Sequence, residues 1–151
     1  MAQAPAEKTL VSNRKAGFEF FLEDRFEAGI SLLGSEVKSL RDGRANLQEA
    51  WVKLSHGSAW LVGCHISPYE QANRFNHDPL RERQLLLHRS ELNKLRKATA
   101  EQGRTIVPVR LYLKGSRVKV EIAVAKGKKN YDKREAIKER EANREIQRRV
   151  R

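Results

Sequence analysis

A single cysteine, Cys64, stands in the 151 residues of this chain. One thiol excludes an internal disulfide framework and fits a reducing compartment. Long apolar runs are missing too. The longest, such as 85–87 and 59–64, fall far short of the roughly 20 residues a membrane-spanning helix needs. The opening decapeptide MAQAPAEKTL lacks the apolar stretch of a secretory leader, so a cytoplasmic, soluble protein is expected. There is no P-loop, no G-x-G-x-x-G and no D-x-D pair. Negative charge is also scarce, with 19 Asp and Glu against 31 Lys and Arg, a formal net charge of +12. A chain this cationic takes RNA, DNA or an anionic membrane surface as partner, nucleic acid being the leading class.

What is present is unevenly spread. The segment 126–151 reads KGKKNYDKREAIKEREANREIQRRVR, with 11 Lys and Arg against 5 Asp and Glu, which is half of the net charge. Its apolar residues are only Ile137, Ile146 and Val150 with Ala136 and Ala142. Such a segment cannot bury enough surface to offset its ordering entropy. Residues 127–151 are therefore expected to be a basic tail, disordered when free. Glu141 with Arg144, and Glu145 with Arg148 and Arg149, stand at helix-compatible spacings, so the tail is expected to become helical along RNA.

The remainder divides into a flexible lead, 1–12, and one folded domain, 13–126. GFEFFLEDRFEAGISLL (17–33) predicts two short strands, or one long bent strand with Gly29 as a bulge or close-approach point. A small helix follows, capped by Ser35, with Val37 and Leu40 facing inward and Gly43 at its end. Two hairpins come next in pattern. In 49–55 and 59–66, Val52 and Leu54 alternate with polar residues, as do Trp60, Val62, Cys64 and Ile66, which predicts that these point to the core. The pair 105–113 and 117–125 turns at Lys114-Gly115-Ser116, and Pro108 marks an edge strand or a bulge. Between the hairpins lie a polar loop, 67–83, and a helix from Ser90 to Gln102 with Leu92, Leu95 and Thr99 inside. The sum is mainly β with small helices: an OB-like, six-stranded antiparallel barrel, partly closed.

Chemistry is sparse on this frame. Cys64 and His65 are adjacent in a strand and point to opposite faces, and the other histidines show no ligand spacing, so no metal site is expected. Cys64 reads as a small core residue, not a nucleophile. Glu27, Glu36 and Asp42 beside Arg41 invite the alternative of a barrel nuclease, but isolated carboxylates on a basic protein usually balance surface charge. No catalytic residue and no cofactor is assigned. Nucleic-acid features are stronger. With Val37 and Leu40 turned in, Lys38 and Arg41 lie one turn apart facing out, a spacing that suits phosphates along one backbone. Asn13, Arg14 and Lys15 are read as exposed. Tyr69 and Phe75, in a loop with Asn73, Arg74 and Asn76, either stack on unpaired bases or plug the barrel end.

LLGSEVKSLRDGRAN (Leu32–Asn46), FEAGI (Phe26–Ile30), RxxLLL (Arg83–Leu87) and AKGKKNYDKREAIKERE (Ala125–Glu141) together resemble the SmpB, or SsrA-binding protein, family, from about Asn13 to Glu141. The resemblance implies an OB-like barrel that binds the transfer-RNA-like domain of transfer-messenger RNA and delivers it to stalled ribosomes. It implies RNA contacts by Asn13, Glu27, Lys38, Ser39, Arg41 and Leu86. The tail positions Gly127, Lys128, Lys129, Asp132, Lys133 and Arg134 would meet small-subunit RNA near the decoding centre, in a vacant messenger channel. A monomer is implied, with elongation factor Tu an indirect partner in the delivery complex.

Overall fold

The computed structural model describes residues 6–70, 76–101, 103–128 and 130–149. In chain order the elements are β1 (Glu7–Ser12), α1 (Arg14–Glu19), β2 (Phe20–Ile30), α2 (Gly34–Arg41), β3 (Ala45–Asn46), β4 (Trp51–Ser55), β5 (Ser58–Val62), β6 (His65–Ile66), β7 (Arg83–Leu86), α3 (Arg89–Thr99), β8 (Arg104–Lys114), β9 (Arg117–Gly127) and α4 (Asn130–Arg149).

Seven strands form one antiparallel sheet in the order β1-β8-β9-β2-β7-β5-β4, and β3 pairs with β6 apart from it. The sheet curls until β4 lies beside β8, giving the partly closed barrel. The strand count exceeds the six expected for two reasons. EKTLVS, read as part of a loose lead, is the edge strand β1, because Val11 reaches the core and Glu7–Ser12 register against Lys114–Arg110. RQLL is β7, which bridges β2 and β5.

Ala28, Leu61, Leu111, Val120 and Ile122 fill the barrel, and Leu40 of α2 and Leu95 of α3 close it. The aromatic stretch from Gly17 divides differently from expectation. Asn13 caps α1, whose Ala16 packs on Val107 and Ala125, and a single eleven-residue strand follows. Its irregularity falls between Leu22 and Arg25, not at Gly29. Gly29 is instead a close approach: a Cβ there would stand 3.2 Å from the Cβ of Leu86. Pro108 does carry a bulge, the register of β8 on β9 shifting between Pro108 and Arg110.

Inside the first hairpin the expected face is reversed. Ala59 and Leu61 are the buried residues, so Trp60 and Val62 point outward, while Cys64 and Ile66 beyond them are buried as expected. Gly63 makes the change of phase. At φ +75° it breaks the alternation for one residue, and a Cβ on it would lie 2.7 Å from the carbonyl oxygen of Glu49.

In the structure the tail segment Asn130–Arg149 is one α-helix. Its Ile137 and Ile146 are exposed. Charge pairs one turn apart are what favour the helix.

Candidate nucleic-acid interface

Pleating of β2 decides which side chains meet solvent. Ala28 is buried and Phe26 packs on the core, so Arg25, Glu27 and Gly29 face outward. Gly29 registers opposite Leu86 of β7, and the missing Cβ lets the Leu86 side chain lie over the strand, 57% exposed. Glu27 and Leu86, far apart in sequence, thus share one outer face.

Glu27 is not a bare carboxylate. It accepts hydrogen bonds from the buried Tyr112 hydroxyl and from Lys114 Nζ at 3.2 and 3.3 Å. The Tyr112 hydrogen bond, helped by Lys114 and opposed by partial burial, holds the Glu27 carboxyl below its ordinary range. Burial, followed by that same bond, pushes the Tyr112 hydroxyl up. Arg110 lies over the Tyr112 ring, 3.9 Å from its centroid, and is held by Glu7 at 3.0 Å. The sequence showed Glu27 alone; its partners come from β8, 85 and 87 residues away.

On α2 the helix start is secured by Glu36, not Ser35: the Leu33 amide donates to Glu36 Oε1 at 2.8 Å. Ser35 pairs with His77 instead. Lys38 and Arg41 are exposed as expected, and the Lys38 ammonium sits 5.5 Å from the centroid of the half-buried Tyr69 ring. Ser39 lies on the inner side of α2. It is fully buried, its Oγ donating to the Ser67 carbonyl at 2.6 Å, because residues 39 and 40 share the inward side of this helix. Ser39 anchors α2 and does not reach the surface.

Asn13 is likewise committed inside. Its Oδ1 accepts from the Ala16 amide at 3.3 Å, and its Nδ2 donates to the Pro108 carbonyl at 2.9 Å. It caps α1 while satisfying the bulge of β8, so its side chain is not exposed as expected. Lys15 is paired with Glu49 at 2.7 Å.

Glu36 and Arg83 form the feature that composition could not reveal. Both are fully buried; Arg83 Nε donates to Glu36 at 2.5 Å, and Arg81 donates to its other oxygen at 2.5 Å. Arg83 also donates to the carbonyls of Cys64 at 2.6 Å and Pro79 at 3.3 Å. Burial pushes the Glu36 carboxyl up, but the bonds from Arg81, the Leu33 amide and Arg83 outweigh it and hold the carboxyl low. This network fastens α2 to β7 and to the chain after β5, and it occupies a carboxylate the nuclease alternative would need. Among the described residues no group of three His, Cys, Asp or Glu is arranged for a metal ion. Cys64 is buried, its thiol pushed up to about 11 by burial.

At the barrel exit, Gly127 ends β9. The Lys128 amide donates to the Glu19 carbonyl at 2.8 Å and its ammonium to the Gly17 carbonyl at 3.2 Å. The same ammonium lies 5.1 Å from the Phe21 ring, and Arg140 lies 5.7 Å from that of Phe18. Arg134 is exposed. Lys129, Asn73, Arg74, Phe75 and the side chains of Asp132 and Lys133 lie outside the described residues. No helix among the described residues is long and apolar enough to cross a membrane.

Comparison with known proteins gives the frame for this surface. The chain is 56% identical over 141 residues to an SsrA-binding protein of Geobacillus kaustophilus (strain HTA426), covering 93% of this chain and 91% of that one. It is 52% identical over 150 residues to an SsrA-binding protein of Clostridium botulinum (strain Hall), covering 99% and 96%. Its fold matches a chain of a solved structure described as "tmRNA-SmpB: a journey to the center of the bacterial ribosome", with a TM-score of 0.69 and 35% identity over 86% of this chain and 95% of that one. The SmpB protein family model matches residues 10–151, and this chain belongs to the SmpB family.

Proposed function

We propose that this protein is the RNA-binding adaptor of ribosome rescue. Its barrel binds the transfer-RNA-like domain of transfer-messenger RNA, and its tail occupies the vacant messenger channel of a stalled ribosome. The observation that carries this reading is the identity of 52–56% with SsrA-binding proteins over nearly the whole chain. The physical arrangement supports it. A rigid sheet presents Glu27 and Leu86 together, and α2 presents Lys38 and Arg41 at phosphate spacing. Asn13 and Ser39 serve that surface from behind, by fixing α1 and α2.

The division of labour falls at Gly127. Residues 13–126, joined by β1, hold the RNA. Residues 127–151 act separately, helical on the ribosome, with Lys128, Lys129, Asp132, Lys133 and Arg134 against small-subunit RNA near the decoding centre. An arm of this charge enters an anionic tunnel only where no messenger competes, so vacancy is what it senses. The protein works in the cytoplasm as a monomer, without catalysis, and meets elongation factor Tu only through the shared RNA.

Capture of the tagged protein from bacterial lysate, with sequencing of the bound RNA, tests the reading. Transfer-messenger RNA should dominate the bound fraction. Recovery of bulk ribosomal or messenger RNA in its place, or steady metal-dependent turnover of RNA, would overturn it.

A further inference from the structure

Both tryptophans of the chain lie on the outer side of the first hairpin. Val52 is in the core, so Trp51 and Lys53 on either side of it face outward; Ala59 and Leu61 are in the core, so Trp60 does too. Lys53 registers opposite Trp60, and Trp60 opposite Gln84 of β7, so the two tryptophans are diagonal neighbours and Lys53 shares their face. Trp51 is 42% exposed on an edge strand, a costly place for a large apolar ring. The Trp60 indole N–H is tied to the Ser55 carbonyl at 3.4 Å, which orients the ring. Beside Trp51 a groove of about 290 Å³ runs along the barrel seam between β4 and β8, lined by Lys53, Thr99, Arg104 and Thr105 among others.

We infer that Trp51 and Trp60, with Lys53 and Arg104 along the adjoining groove, form a second RNA site that stacks unpaired bases of a single-stranded segment. Rings alternating with cations beside a groove are what binding of single strands requires: the π faces take bases and the cations follow the phosphates. A purely apolar partner would be poorly served, because Lys53 interrupts the aromatic surface. Lys53 is paired with Glu82 at 3.1 Å, and Arg104 with Glu23 at 2.9 Å and Glu101 at 2.6 Å. These partners are exposed enough to exchange for phosphate.

This site stands apart from the reading above and is tested without transfer-messenger RNA. Since the chain has no other tryptophan, its tryptophan emission, excited where tyrosine does not absorb, reports this face alone. Oligouridylate of about ten nucleotides, within the range one OB-type barrel covers, should quench the emission saturably. An equally charged polyphosphate, which lacks bases, should leave it unchanged. By anisotropy of labelled oligouridylate, Trp51→Ala and Trp60→Ala should each weaken binding about tenfold, while Trp51→Phe and Trp60→Phe retain most of it. The Phe variants guard against misfolding of the Ala ones, and far-ultraviolet circular dichroism checks all four. The proposal falls if oligouridylate leaves the emission unchanged, if polyphosphate quenches equally, or if folded Ala variants bind like the parent. An emission shift caused by RNA-free ribosomal protein, with none from oligouridylate, would assign the face to protein instead and also overturn it. Binding of the transfer-RNA-like domain, measured in parallel on Leu86→Ala, reports the adaptor reading separately.

Discussion

Glu36 and Arg83 show how much one ion pair can organise. Neither can lose its partner cheaply, because a buried charge left alone keeps its desolvation cost without the compensating bond. Arg83→Ala should cost about 3–5 kcal/mol, read as a large fall in the denaturation midpoint. The pH dependence has a definite sign. The Glu36 carboxyl is held below its unfolded value of 4.5, so the pair's stabilisation is complete above that pH. It is lost as pH falls through the lowered folded value. Glu36→Gln should remove this share of the acid dependence, so that the variant's stability changes less than the parent's between pH 5 and pH 3 or thereabouts. Gly63 is a second position with no freedom. Gly63→Ala sets a methyl against the Glu49 carbonyl in left-handed backbone and should cost about 1–3 kcal/mol in denaturant titration.

Among elements, α4 is the one whose loss should leave the others in place. It meets α1, where Arg140 lies over Phe18, while the sheet is closed without it. A chain ending at Gly127 should bind transfer-messenger RNA within about threefold of the full protein yet fail to release stalled ribosomes in a reconstituted translation assay. Loss of RNA binding on truncation would place the tail in the primary site. The strands behave oppositely. β8 carries β1 on one side and β9 on the other, and it also supplies Tyr112 and Lys114 to Glu27, so its bulge at Pro108 reaches the proposed RNA face through register.

For the whole molecule the governing quantity is charge. At +12, association with RNA should weaken steeply as salt rises, because each phosphate contact releases counterions. Lys38→Ala with Arg41→Ala should flatten the plot of log affinity against log salt by up to about one unit per lost contact. Filter binding from low to moderate salt measures it. An unchanged slope would mean that α2 faces away from the bound RNA.

Much was legible in the residues alone. Composition located the charge, local pattern gave the β8–β9 hairpin, α2 and α3, and Cys64 was readable as a small core residue, although the alternation with Trp60 and Val62 fails at Gly63. The motifs carried the family. These signals are local, or they are sums over the chain, and need no knowledge of what packs on what. Tertiary structure decided the rest. Asn13 and Ser39 are polar residues that a sequence reading leaves at the surface, and only the carbonyls of Pro108 and Ser67 draw them inside. Trp60 faces outward because Gly63 shifts the pleat by one residue, which alternation by itself does not reveal. Glu27 meets Leu86 across paired strands, and Glu36 meets Arg83 through contacts 47 residues apart. Pairings over such separations depend on register and burial, which belong to the folded chain as a whole.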